Sequence, residues 1–411
     1  MPEMLTTQTA VGARLHTLPV EGDVCRVSFV FRAGTAAQSI PFSASATANL
    51  LGEGSRDMSS KEISDRLDFY GSYFGVEIDR DWSVVTFCML RKFFAPTMDI
   101  ARRMLIEPVF SEKELATYAA KRKQSLIIER SKPAFKAREL FAASLFGPHH
   151  PYGVSSGPEL YDALAREQIV DFYDRFYLAS NCFVVASGAI GEAEQTIIEQ
   201  TVSGLPVRPA AEPETVEVTD SQRYGFALHE GAVQSALRIG RVLFPRNHPD
   251  FVPMQIVATT LGGYFSSRLV KNLREKRGYT YGAYAAMVNM QQAGYLAIST
   301  EVASAATDDA IAQIVIETER LRQEKVRSKE LQTVKNIMVG EVLRIIDGPF
   351  GVADVAIESI QCGEPWDYLT SIVERIRSFT ADELLATAQK YLLPERFTII
   401  AVAAEKPKIF D

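Results

Sequence analysis

Arg274 and Tyr281 are the two residues of this chain with the most to contribute to chemistry if folding brings them together. One carries a guanidinium and the other a phenol, and both donate hydrogen bonds to oxygen. They stand seven positions apart in Phe265-Ser-Ser-Arg-Leu-Val-Lys-Asn-Leu-Arg274-Glu-Lys-Arg-Gly-Tyr-Thr-Tyr281. The stretch reads as an amphipathic helix, with Phe265, Leu269 and Leu273 on one side, that stops at Gly278. A strand rich in Tyr and Ala follows, from Tyr279 to Met287. A helix-to-strand reversal of that length brings the two side chains to one patch of surface. Taken alone, the residues favour a plainer account: an Arg in a last helical turn complements the helix dipole, and a strand Tyr packs.

The elements that must position this pair come from a chain of 411 residues, too long for one ordinary core and long enough for two domains. An apolar fraction of 47% and a charged fraction of 23% are those of a soluble globular protein. The net charge of −7 argues against nucleic acid, because no Lys/Arg cluster stands apart from neighbouring acids. The basic run Lys121-Arg-Lys123 falls on a predicted helix and reads as a solvated face.

No apolar run is long enough to span a bilayer. The N-terminus lacks a basic start followed by an apolar stretch, so the expected compartment is the cytoplasm, or the periplasm where a leader has been removed. Cys25, Cys88, Cys182 and Cys362 are widely spaced with no C-x-x-C pair, which predicts buried free thiols and no metal site.

Along the chain one programme of elements occurs twice. Val24–Arg32 alternates as a strand should, and the small residues Ala44–Ala48 lead into a helix packed closely on a sheet. Ser59 and Glu62 form a capping box. Strands at Gly71–Asp79 and Trp82–Leu90 make a hairpin, followed by helices from Phe94 to Leu105 and from Ser111 to about Arg130. A helix from Glu167 to Phe176 leads into a strand at Asn181–Gly188.

The second half echoes the first with an offset of roughly 215 residues. Ser328-Lys-Glu-Leu331 repeats Ser111-Glu-Lys-Glu-Leu115, and Asp382–Leu393 repeats the apolar positions of Glu167–Leu178. Asp347-Gly-Pro-Phe350 marks a break between two helices. The fold class is therefore α+β: two homologous domains, each a mostly antiparallel or mixed sheet with helices packed on one face. Their expected bounds are 1–204 and 223–411, joined by a Pro- and Glu-rich linker at 205–222. Gly71-x-x-x-Gly75 and Gly52-x-Gly54 are turns, since neither continues as a phosphate-binding strand–loop–helix.

Two such halves, with Phe-Ser-x-Arg-Leu…Leu-Arg-Glu-x-x-Gly-x-x-Tyr in the second and His150-Pro-Tyr-Gly153 in the first, resemble the pitrilysin / mitochondrial processing peptidase family of zinc peptidases. The resemblance covers about residues 8 to 405. It implies an inverted zinc motif, H-x-x-E-H, on a first-half helix just before a Gly-Ser/Thr turn. Two His one helical turn apart ligate the metal, and the Glu serves as base. Counted back from Gly54-Ser55, the motif falls on Ser45, Ala46, Thr47, Ala48 and Asn49. Both histidines and the glutamate are absent. The third ligand, a glutamate on a later helix, has no counterpart either, because no acid occurs between Leu115 and Ile128. His16, His149, His150, His229 and His248 are scattered, and the adjacent pair His149–His150 would point apart. The expectation is no metal in this chain.

In two-subunit members of that family one chain holds zinc while a homologous partner supplies an Arg/Tyr pair. The resemblance thus implies that Arg274 and Tyr281 act in trans as catalytic donors. Tyr281 would lie nearest the reacting carbonyl, with Arg274 on the substrate backbone or the tyrosine. It also implies a peptide substrate, a zinc-bearing partner in a heterodimer, a homodimer in isolation, and no hydrolysis by this chain alone. Gly262, Gly263 and Phe265 would line a substrate wall, and the strand Ala293–Thr300 would offer edge hydrogen bonds to an extended peptide. Ordinary packing explains these last features equally well. The rival reading is an inert structural or peptide-binding scaffold of the same fold. An autonomous hydrolase of another class lacks support, since Gly-x-Ser-x-Gly is absent.

Overall fold

The computed structural model describes residues 2–211, 222–346 and 348–410. Residues 212–221 of the expected linker, and Asp347 of the expected helix break, lie outside the described residues. The chain forms two compact units: Met1–Leu126 with Ser156–Glu214 and Ile345–Gln361, and Ile127–Ser155 with Thr215–Arg344 and Cys362–Asp411. A single cut at 205–222 separates the two sheets, but each unit also takes a helix from the other half of the chain.

The first unit holds a six-stranded sheet in the order Leu5–Gln8, Arg14–Pro19, Cys182–Gly188, Val24–Phe31, Ser83–Leu90, Tyr73–Ile78. Its pairings are antiparallel except that of Arg14–Pro19 with Cys182–Gly188. Val27, Phe29 and Phe31 alternate onto one face, where they pack with Leu50, Met98, Ile100 and Ile169 of the helices. Burial of this apolar set is the main stabilising term, roughly 25 cal/mol per Å² removed from water.

The other face of the same strand is buried too. Arg26 Nη1 donates to the Phe350 carbonyl at 3.0 Å, and its Nη2 lies 2.7 Å from Asp354. Ser187 Oγ donates to the Pro349 carbonyl at 2.6 Å. The helix Gly348–Cys362 is what covers them. The main helical layer therefore sits on one face, as expected, with one further helix on the other.

The second unit repeats the design. Its five-stranded sheet runs Ala283–Asn289, Gly294–Ala303, Gln234–Leu243, Thr398–Ala403, Tyr224–Leu228. Again one pairing is parallel, that of the C-terminal strand with Tyr224–Leu228. Read from the hairpin side, the strand order matches that of the first sheet, so the duplication seen in the sequence is a duplication of topology. Leu237, Ile239, Leu296 and Ile298 face the main helices, while the helix Pro133–Phe146 lies against the opposite face.

Gly294–Ala303 is paired on both sides, with Ala283–Asn289 and with Gln234–Leu243. The expectation that it offers an edge to a peptide is therefore wrong, and the open edge belongs to Ala283–Asn289. The periodicity of a strand does not reveal its place in a sheet, which long-range pairing decides.

Cys25 and Cys182 are buried free thiols, as expected, whereas Cys88 and Cys362 are half-buried. Burial pushes the Cys25 and Cys88 thiols up to about 11.

Candidate functional site

The site is built on the chain reversal between the helix Phe251–Gly262 and the strand Ala283–Asn289. The expected helix from Phe265 begins later than its apolar spacing suggests. Ser267 N–H bonds back to the Tyr264 carbonyl at 3.0 Å in a turn, and Val270–Lys276 then forms a π-helix. Leu269 and Leu273 are fully buried, but Phe265 is 70% exposed. Phe265 lies in the turn before the helix begins, outside the apolar stripe, and sits under the Arg274 guanidinium, 4.6 Å from carbon to ring centroid. π-turns of this kind recur at functional positions.

Gly278 ends the π-helix at φ 66°, a left-handed conformation that glycine adopts without steric cost. Its N–H reaches the Arg274 carbonyl at 3.1 Å, and the Tyr279 N–H reaches the Leu273 carbonyl at 2.8 Å. The backbone of Arg274 is thus held from the far side of the turn.

Tyr281 lies on the connection into the strand, two residues before it begins, and is 89% exposed. Its loop is braced from below. Gly282 N–H donates to Thr280 Oγ1 at 3.1 Å, and the Thr280 hydroxyl donates to the Gly282 carbonyl at 2.8 Å. The buried Thr300 hydroxyl lies 3.1 Å from Thr280 Oγ1 and 2.9 Å from the Gly282 carbonyl. Tyr281 therefore projects from a backbone with few alternatives, although its ring is free. It lines a groove of about 430 Å³ together with Arg238, Tyr284, Ser299 and Glu301.

Two neighbouring arginines and one phenol of the segment are committed elsewhere, whereas the exposed Lys271 and Lys276 have no ion-pair partner among the described residues. Arg268 meets Glu330 with two bonds, at 2.8 and 3.1 Å. The Tyr279 hydroxyl donates to Asp309 at 2.9 Å, and Arg277 Nε lies 3.4 Å from the same oxygen. That hydrogen bond raises the Tyr279 pKa and lowers that of Asp309. Among the described residues, neither the Arg274 guanidinium nor the Tyr281 hydroxyl has a hydrogen-bonding or ion-pair partner, and no bond joins the two to each other. Two donors aimed outward, one on a helix end and one on a braced loop, can serve an oxygen that the chain itself does not supply.

The glycines sort differently. Gly262 is buried where a Cβ would strike Ala285, at 2.5 Å from its nitrogen, so the protein's own edge strand uses this close approach. Gly263 and Phe265 remain at the surface. Thr280, Thr300, Tyr284 and Arg238 were not anticipated. Only the Tyr-rich run through Tyr284 carried a hint of this surface, because cross-strand placement is invisible in local spacing.

In the first unit the helix Ser43–Leu50 carries the positions where the inverted zinc motif would fall. Ser45 Oγ donates to the Phe42 carbonyl at 3.1 Å, and Asn49 Nδ2 donates to the Ser45 carbonyl at 2.7 Å. Ala48 is buried and has no polar atom on its side chain. Both polar side chains are turned onto their own helix. On the helix Glu112–Arg130 the Tyr118 hydroxyl is buried and its approach to Ser45 falls short of hydrogen-bond geometry; burial raises its pKa. This donor set does not fit zinc, which needs neutral imidazoles and a carboxylate. His150 is buried against Phe146 and Tyr152 while His149 is exposed, so the adjacent pair does face apart. Among the described residues no group of three or more His, Cys, Asp or Glu could hold a metal ion, and no helix is long and apolar enough to cross a membrane.

Comparison with known proteins agrees with this geometry. Residues 163–338 match the family described as the peptidase M16 inactive domain. An uncharacterized zinc protease of Streptomyces coelicolor is 21% identical over 357 residues, 84% of this chain and 77% of its own. One from Mycobacterium leprae is 29% identical over 168 residues, 39% of this chain and 37% of its own. Among solved structures, a peptidase M16 inactive domain from Pseudomonas fluorescens superposes with a TM-score of 0.92 at 21% identity, covering 98% of this chain and 99% of that one. A protease from Helicobacter pylori superposes at 0.87 with 14% identity, covering 99% and 100%. At these identities the superpositions show the fold alone. Residues 163–338 thus match the peptidase M16 inactive domain, and the chain has the fold of a solved M16 inactive domain and is similar to chains named uncharacterized zinc proteases.

Proposed function

We propose that this chain is the subunit of a heterodimeric zinc metallopeptidase that does not hold the zinc, and that it supplies Arg274 and Tyr281 to peptide hydrolysis in trans. A homologous partner would bring the metal, its histidines and the base. The observation that carries the reading is the division of labour in one segment: Arg268, Arg277 and Tyr279 are bonded to Glu330 and Asp309, while Arg274 and Tyr281 keep their donors. Attack on a peptide carbonyl builds negative charge on its oxygen, and a preorganised phenol stabilises that charge more than it stabilises the ground state. Tyr281 is assigned to that oxygen and Arg274 to substrate backbone carbonyls. Gly263 and the exposed Phe265 ring would form the adjoining wall.

Reconstitution with a zinc-bearing homologue tests this. The isolated chain should hydrolyse no peptide at any zinc concentration, and activity should arise on mixing. Tyr281→Phe and Arg274→Ala should each lower kcat by on the order of 10²-fold with the partner's zinc retained, the cost of one oxyanion donor. Wild-type rates in both variants would leave the chain a scaffold.

A further inference from the structure

The groove beside Tyr281 contains a half-buried guanidinium that forms no hydrogen bond or ion pair among the described residues. Arg238 lies on the strand Gln234–Leu243, opposite Ser299, on the sheet face that meets the helix Pro133–Phe146. It is half-buried, and among the described residues it makes no hydrogen bond or ion pair. Burial, followed by the nearby Arg138, lowers its pKa. Arg138 is itself exposed, stacked 4.6 Å over the Phe135 ring and without a carboxylate partner. Glu301, diagonal to Arg238 across the strand pair, is the one acid among the described residues that line the groove. Arg238 and Glu301 are thus the charged side chains on the groove's lining, and no hydrogen bond or ion pair joins them.

We propose that this groove is a subsite for one carboxylate of a bound peptide, either an acidic side chain or the chain's terminal carboxyl group. The guanidinium fork matches a carboxylate in plane and spacing, and a half-buried, unpaired cation gains most from meeting one. With Glu301 beside Arg238, a singly charged group is repelled less than a doubly charged phosphate would be. Gln234 and Ser299 supply further polar contacts along the wall, and Tyr281 and Tyr284 supply aromatic surface. The inference rests on the reading of the Tyr281 surface as facing peptide, and it names the substrate class: peptides with an acidic residue or a free carboxyl end close to the bond presented to Tyr281.

The test is calorimetric titration of the full chain, without partner or turnover, so a failed reconstitution of peptidase activity leaves the result intact. Three probes are used: an acetylated, amidated Ala/Gly decapeptide with one central Glu, its Gln counterpart, and the Gln counterpart with a free carboxyl terminus. One of the two carboxylate peptides should bind about tenfold or more tightly than the neutral one, the scale of a charge-assisted hydrogen bond. Whichever binds identifies the source of the carboxylate. Arg238→Met should erase the preference and Glu301→Gln should enlarge it, with unfolding temperatures of both variants confirming the fold. Equal affinities for all three peptides, no measurable binding of any, or a preference that survives Arg238→Met would overturn the proposal.

Discussion

The Tyr279 hydroxyl donates to Asp309 at 2.9 Å, whereas the Tyr281 hydroxyl, two residues on, has no partner among the described residues. The two phenols share one loop and differ in what is left for a ligand. Tyr279→Phe should therefore leave partner-dependent kcat within about twofold of wild type, while Tyr281→Phe costs on the order of 10²-fold. Spectrophotometric titration of Asp309→Ala should show one tyrosine shifting to lower pKa, since the bond that raises Tyr279 is lost. An equal kcat loss in the two Tyr variants would show that the loop, rather than the free donor, matters.

Thr300 acts on Tyr281 through Thr280 and the Gly282 carbonyl. Thr300→Val keeps shape and removes the hydroxyl, so stability should fall by about 1 kcal/mol. Amide exchange at Gly282 should quicken, and partner-dependent kcat should fall by several-fold, up to about 10²-fold, as Tyr281 loses its placement. Unchanged exchange at Gly282 would remove the positioning role.

Gly278 holds φ 66° with nothing within 4 Å of where a Cβ would stand. The cost of Gly278→Ala is thus one of backbone conformation alone, about 1 kcal/mol, read as a lower urea midpoint at constant m-value. Gly262→Ala is a different case, because its Cβ meets Ala285, and it should destabilise more. A reversed order of the two midpoints would contradict this packing.

His16 is buried on the strand Arg14–Pro19, its Nδ1 2.9 Å from Thr6 Oγ1, and burial followed by Arg14 lowers its pKa to about 4. The unfolded chain protonates this imidazole near 6.5, before the folded chain does, so its stabilising contribution is present above that pH. It is lost as pH falls from about 6.5 towards 4. His16→Gln should flatten the urea midpoint against pH across that window relative to wild type, and a parallel slope would show that other groups carry the acid sensitivity.

Much of the scaffold was legible from local pattern. The Ser59–Glu62 capping box forms, and Val27, Phe29 and Phe31 alternate into the core. The repeated Ser111 and Ser328 helix starts mark true counterparts, because caps and apolar period are short-range signals. Phe265 does not join the apolar stripe because the chain there is still a turn, closed by the Ser267 N–H on the Tyr264 carbonyl, which an apolar period does not reveal. Ala293–Thr300 was misread as an edge because pairing partners lie far along the chain.

The sequence by itself determined that zinc has no ligands at Ser45, Ala48 and Asn49, since residue type alone decides whether an imidazole or a carboxylate is present. It also marked Arg274 and Tyr281 by spacing. Only the tertiary structure decided which donors remain unspent. Asp309 claims Arg277 and Tyr279, Glu330 claims Arg268, and no acid forms a hydrogen bond or ion pair with Arg274, Tyr281 or Arg238 among the described residues. The physical reason is that a hydrogen bond requires two groups within about 3 Å of each other, and which groups meet is set by packing of elements distant in the chain.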